Sequence, residues 1–65
     1  MMVYAFDFKG FHVEIHFNVV YMKFFWVTGY GPRRFSGACE YFENPEKCRD
    51  DAERNLGLLA KEMQS

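Results

Sequence analysis

The chain has 65 residues, of which 49% are hydrophobic, 20% are aromatic and 26% are charged. So high an aromatic content excludes a disordered chain, because disorder requires low hydrophobicity and high net charge. The formal net charge of −1 creates no overall field that would attract nucleic acid or an anionic membrane. No run of about 18 apolar residues is present, so no membrane span is predicted. The length allows one domain, residues 1–65.

The N-terminal segment has no basic region, and Asp7 and Lys9 interrupt its apolar residues. This is not the pattern of a signal peptide, and we expect a cytoplasmic protein with reduced thiols. The two cysteines, Cys39 and Cys48, are too few for a disulfide scaffold or a four-ligand zinc site. We interpret them as buried free thiols.

Alternation of apolar and polar residues predicts two strands at the start of the chain. Tyr4, Phe6 and Phe8 fall on one face of the first strand. Lys9-Gly10 predicts a hairpin turn, because glycine tolerates the positive φ that tight turns require. The second strand alternates most regularly, with four apolar residues facing one way and three polar residues facing the other: Phe11, Val13, Ile15 and Phe17 against His12, Glu14 and His16.

Residues 20–28 are rich in β-forming residues and predict a third strand after a turn at Asn18. Both faces of this strand are apolar, with Met22, Phe24 and Trp26 on one side and Tyr21, Phe25 and Val27 on the other. A strand that is apolar on both faces is expected to be covered on both.

The segment from Gly29 to Pro32 predicts a further turn, and residues 33–42 predict a fourth strand. We expect four residues of this strand to face inward: Phe35, Gly37, Cys39 and Tyr41.

Residues 44–64 predict an amphipathic helix. Asn44 is a favourable N-cap, and Pro45 suits the first helical position, where no backbone donor is needed. An apolar stripe recurs at helical spacing and consists of Cys48, Ala52, Leu56, Leu59 and Met63. We interpret Gly57, in the helix interior, as a position that lets the helix approach the sheet closely.

These elements predict an α+β fold: an antiparallel β-meander of three to four strands with one C-terminal α-helix packed on one face, a two-layer β-β-β-β-α arrangement. The aromatic-rich sheet occupies residues 1–42. One helix covers only one face of this sheet. The other face would expose Tyr21, Phe25 and Val27 together, and an exposed apolar patch of this kind indicates an interaction site.

The sequence therefore predicts a small non-enzymatic protein-interaction module that forms a homodimer or binds a protein partner through the uncovered face. The predicted interface residues are Tyr21, Phe25, Val27, Tyr30, His12, His16 and Lys23. Free-standing domains of this size are often accessory or inhibitory factors encoded by phages or other mobile elements, and we expect such a role here.

A second hypothesis is single-stranded nucleic-acid binding by the same face. Aromatic side chains would stack on bases, and four basic residues would contact phosphates: Lys9, Lys23, Arg33 and Arg34.

Metal and catalytic chemistry are not predicted. His12 and His16 lie about 13 Å apart on an extended strand and cannot share one ion within a chain. Cys39 or Cys48 beside a histidine is the candidate nucleophile–base pair, but Cys39 is expected to face the core, away from the histidines. We therefore predict no cofactor, no metal site and no enzymatic activity.

Overall fold

The computed structural model describes the backbone of residues 1–30, 33–36 and 40–63, and the side chains of residues 1–29 and 40–63. Within these ranges, four antiparallel strands form one sheet in the order β1-β2-β3-β4, and one helix, α1, follows them. The bounds are Met2–Phe8 for β1, Phe11–Asn18 for β2, Lys23–Tyr30 for β3, Arg33–Ser36 for β4 and Pro45–Met63 for α1. The predicted α+β meander with a C-terminal helix on one face is confirmed.

A two-residue turn joins β1 to β2, as the sequence predicts. Lys9 and Gly10 both have positive φ angles, of 50° and 86°. Two consecutive positive φ angles are typical of a type I′ turn, whose twist matches that of the flanking strands. The strands pair from Phe8 opposite Phe11 onward, and the register shifts at a bulge between Met2 and Tyr4.

The turn between β2 and β3 is longer than the sequence predicts. Oδ1 of Asn18 accepts hydrogen bonds from the backbone N–H groups of Val20, at 2.9 Å, and Tyr21, at 3.1 Å. These bonds hold residues 19–22 in a loop, and Met22 adopts a left-handed φ of 56°. Because β3 begins only at Lys23, the prediction that Val20, Tyr21 and Met22 lie on a strand is wrong.

The structure describes β4 over Arg33–Ser36, within the predicted fourth strand, whereas residues 40–42 do not belong to a strand. Phe42 instead forms a separate bridge with Phe24, with a hydrogen bond of 2.8 Å in each direction. Phe42 thereby packs against the core while Tyr41 is exposed, so the inward placement of Tyr41 is wrong. Gly37, Cys39 and the side chain of Phe35 lie outside the described residues.

The core lies between the helix and the sheet. Its buried residues come from β2, β3 and α1: Phe11, Val13, Ile15, Trp26, Cys48, Ala52 and Leu56. A ring of half-buried apolar residues packs against them: Tyr4, Phe6, Phe8, Phe24, Phe42, Leu59 and Ala60. The predicted helix stripe is confirmed over its first three members, whereas Met63 is exposed.

The N-terminus of α1 is capped as predicted. Oδ1 of Asn44 accepts a hydrogen bond of 2.8 Å from the N–H of Lys47, which satisfies one of the donors that a helix leaves unpaired. The interpretation of Gly57 is wrong, because a Cβ atom at this position would meet nothing within 4 Å. Within the described ranges, no helix has the length and apolar character needed to cross a membrane.

Arg49 links α1 to the edge of the sheet. Its guanidinium lies 4.1 Å from the ring centroid of Phe6, at cation–π distance. A hydrogen bond with Tyr4 raises the pKa of Arg49 above its ordinary value. Nε of Arg49 donates a second hydrogen bond, of 3.4 Å, to Oε2 of Glu53.

Candidate interaction surface

The sheet face opposite α1, which we call the outer face, carries most of the residues that the sequence analysis selected. Cross-strand pairing sets Asp7 opposite His12, Glu14 opposite Val27, and His16 opposite Phe25. Directly paired residues share a face of the sheet. The structure therefore brings His12, His16, Phe25 and Val27 onto one surface, as the alternation predicts.

A row of polar side chains runs along β2 on the outer face. Nδ1 of His12 lies 3.3 Å from Oδ1 of Asp7, and its Nε2 lies 3.5 Å from Oε2 of Glu14. Nε2 of His16 lies 2.9 Å from Oε1 of Glu14. The Glu14 carboxylate thus bridges the two histidines. Among the described residues, no group of three or more His, Cys, Asp or Glu side chains is arranged to hold a metal ion.

A row of aromatic side chains, which we call the aromatic row, consists of His16, Phe25, Tyr41 and Tyr21. The His16 imidazole stacks on the Phe25 ring, with a centroid distance of 5.3 Å. Tyr41 meets Phe25 edge-on at 5.9 Å and contacts Tyr21 at 5.1 Å. Of the three residues expected to be exposed together, Tyr21 is exposed, whereas Phe25, which lies between His16 and Tyr41, and Val27 are half-buried.

The most exposed apolar residues lie in the β2–β3 loop, residues 19–22, which we call the hairpin tip. Its four consecutive side chains are between 61% and 80% exposed and are Val19, Val20, Tyr21 and Met22. Val19, Val20 and Met22 were not predicted as site residues. β-Propensity placed Val20 and Met22 on a strand, with Met22 on the face of Phe24 and Trp26. The signal was present, however: Asn18 predicts a turn, and apolar residues in a turn have no core to enter.

The N-terminus lies beside the hairpin tip. The N–H of Phe17 donates a hydrogen bond of 2.9 Å to the carbonyl of Met1, and the N-terminal amine donates one of 3.3 Å to the carbonyl of Phe17. Met1 is 81% exposed, and Met2 is also exposed. One end of the sheet is therefore apolar over two separate chain segments.

Of the four basic residues that the sequence analysis selected, Lys23 alone lies beside the aromatic row, two residues before Phe25 on the same face of β3. Lys9 occupies the β1–β2 turn, whereas Lys23 begins β3 at the other end of the sheet, about 23 Å away along β2. Arg33 and Arg34 pair with Tyr30 and Gly29, which places both arginines toward the Lys9 end. The side chains of Tyr30, Arg33 and Arg34 lie outside the described residues.

The helix side offers a shallow depression of about 290 Å³, lined by Glu40, Phe42, Lys47, Asp50, Asp51 and Arg54. Cys48 lies nearby but is fully buried. Burial, and secondarily the charge of Asp51, raise the pKa of the Cys48 thiol to about 11. The thiol is therefore protonated at neutral pH and is a poor nucleophile. The histidines lie on the other face of the sheet.

Comparison with models of known protein families, with curated proteins and with solved structures finds no match. The geometry of the surface is therefore the basis for a functional assignment.

Proposed function

We propose that this chain is a small non-enzymatic protein-interaction module that binds a protein partner through the hairpin tip and the adjoining aromatic row. The observation that carries the proposal is the hairpin tip, where four consecutive apolar side chains remain exposed. Monomeric proteins rarely expose contiguous apolar patches except at interaction sites. Fully burying a valine or methionine side chain contributes about 1.5–3 kcal/mol, so a covered tip could anchor a complex.

The chemistry of the surface favours a protein over nucleic acid. Tyrosine and methionine are enriched in protein interfaces, and both occur at the tip. Phosphate binding would require several basic side chains along the aromatic row, yet Lys23 lies beside the row and Lys9 lies at the opposite end of the sheet. The carboxylates of Asp7 and Glu14 lie on the same face and would repel phosphates.

Self-association through the outer face, which the sequence predicts, remains a prediction. Phe25 and Val27 are already half-buried within the chain, so a second copy would gain less by covering them than the sequence suggests. The cytoplasmic location and the accessory or inhibitory role in a phage or mobile element also remain predictions.

The proposal is tested by differential crosslinking of the tagged chain in its native cells. We expect a protein that is captured by the wild type and lost in the double variant Val20→Ser, Tyr21→Ser. The matched control is Leu58→Ser, which changes an equally exposed apolar residue on the helix. Loss of both tip side chains should weaken binding by roughly 100-fold. Equal capture by all three chains would overturn the proposal.

Titration with a labelled single-stranded oligonucleotide tests the alternative. Binding that weakens with salt and disappears in Phe25→Ala would favour nucleic acid over a protein partner.

A further inference from the structure

The first strand, β1, is an edge of the sheet, and a bulge between Met2 and Tyr4 interrupts it near its start. In the described sheet β1 hydrogen-bonds with β2 alone, and its other side carries no strand. The seven residues of β1, Met2–Phe8, include one charged residue, Asp7, and neither proline nor lysine. Natural proteins usually protect a long apolar edge with such residues, because its unpaired backbone groups readily pair with another strand.

The β1–β2 turn determines which backbone groups face this free edge. In a two-residue hairpin the residues that flank the turn form a hydrogen-bonded pair, here Phe8 and Phe11. Hydrogen-bonded and non-hydrogen-bonded pairs then alternate along the ladder. Phe6 therefore directs its N–H and C=O groups toward β2, whereas Ala5 and Asp7 direct theirs toward the free edge.

The helix covers the aromatic side chains of this edge only in part, with Arg49 lying over the Phe6 ring. α1 packs mainly on β2 and β3. Tyr4, Phe6 and Phe8 are only half-buried, although all three face the helix side of the sheet. A neighbouring strand with the same aromatic residues would cover them.

We propose that β1 pairs antiparallel with β1 of a second copy of this chain, about a two-fold axis at Ala5. Between the bulge and the turn, Ala5 and Asp7 direct their N–H and C=O groups toward the free edge, and Ala5 is the uncharged one. Within the regular part of β1 it sets Ala5 opposite Ala5 of the second copy, and Tyr4 opposite Phe6. An axis at Asp7 would instead oppose two carboxylates, which destabilises a sheet pair.

The resulting dimer has one continuous sheet with four strands from each copy. Directly opposed residues lie on the same face, so both helices lie on one side of the sheet and both outer faces form the other. The two hairpin tips point in opposite directions and stay free. This inference does not depend on the proposed partner binding, which uses the tip.

Solution mass measurement on the full chain tests the proposal. We expect twice the chain mass for the wild type and a weaker dimer, by roughly tenfold or more, in Ala5→Pro, which removes an edge donor but no bond to β2. Ala5→Lys, which sets two ammonium groups across the axis, should act similarly if the proline variant fails to fold. Ala5→Thr is the matched control and should remain dimeric.

A crosslink tests the register. Directly opposed strand residues have Cα atoms about 5.5 Å apart, within disulfide range. Ala5→Cys in a Cys39→Ser background should therefore form an interchain disulfide on mild oxidation, whereas Val20→Cys should not. A wild-type monomer, or a dimer insensitive to Ala5→Pro and Ala5→Lys, would overturn the proposal. Loss of the dimer in the double variant Val20→Ser, Tyr21→Ser, but in neither Ala5→Pro nor Ala5→Lys, would also overturn the proposal. That result would favour association through the outer face.

Discussion

The indole Nε1–H of Trp26 donates a hydrogen bond of 3.0 Å to Oδ2 of Asp51, and this bond ties the third strand to the helix. Trp26 is 4% exposed, so water has little access to its polar atom. Within the described part of the chain, no buried side-chain nitrogen or oxygen lacks a partner. The bond thus lets a large aromatic side chain enter the core without an unsatisfied donor.

We expect Asp51→Ala to lower the free energy of unfolding by about 1–3 kcal/mol, because it leaves the buried indole donor unpaired. Urea unfolding followed by the fluorescence of Trp26, the only tryptophan in the sequence, measures this loss. Asp50→Ala is the matched control: it removes a neighbouring exposed carboxylate and should cost less than about 0.5 kcal/mol. Equal losses in both variants would show that the hydrogen bond contributes nothing specific.

We expect Asn44→Ala to destabilise the protein by about 1 kcal/mol, since the N–H of Lys47 loses its acceptor. Asn44→Asp keeps the acceptor and should unfold at nearly the wild-type urea concentration. Circular dichroism at 222 nm follows the helix during the titration. An Asn44→Ala variant as stable as the wild type would rule out a stabilising cap.

We expect Gly57→Ala to raise the free energy of unfolding by about 1 kcal/mol. Alanine has the higher helix propensity, and the added methyl group enters open space. Thermal unfolding of the two proteins side by side measures the difference. A lower melting temperature for Gly57→Ala would mean that the helix needs glycine here for a reason that the open space does not suggest.

We expect the stability contributed by Cys48 to decline as the pH rises from about 9 to about 11. Folding raises the pKa of this thiol from 9.0 to about 11, so between these values the unfolded chain loses the proton that the folded chain keeps. Deprotonation therefore favours the unfolded state across this window, and the contribution is complete below it.

The measurement for Cys48 is the difference in unfolding free energy between the wild type and Cys48→Ala across pH 8–11. Subtracting the variant removes the titration of lysine and tyrosine residues. A pH-independent difference would contradict the raised pKa. Slow alkylation of Cys48 in the folded protein, compared with the protein in urea, provides a second check.

Local signals accounted for much of the architecture. The type I′ turn follows from Lys9-Gly10, the start of the helix follows from Asn44-Pro45, and the buried side of β2 follows from strict alternation. Each of these features depends on residues within about one turn or one strand, where backbone geometry and side-chain chemistry act directly. They could therefore be predicted without any knowledge of distant contacts.

The interaction surface was predicted only in part, because contacts between distant segments shape it. β-Propensity cannot show that Oδ1 of Asn18 accepts hydrogen bonds from two backbone N–H groups and so keeps Tyr21 out of the strand. Nor can it show that Tyr41, sixteen residues beyond Phe25 in the chain, returns to cover the Phe25 ring.

The amino-acid pattern alone predicted a meander of three to four strands, a C-terminal helix and the side of the sheet that the helix covers. Whether Tyr41 or Phe42 faces the core depends on the bridge between Phe24 and Phe42, which lie eighteen positions apart in the chain. Successive strand residues point to opposite faces, so a shift of one residue exchanges the buried and exposed side chains. Such a shift leaves the local conformational preferences of the residues unchanged. Pairing between distant segments therefore determines which side chains are buried.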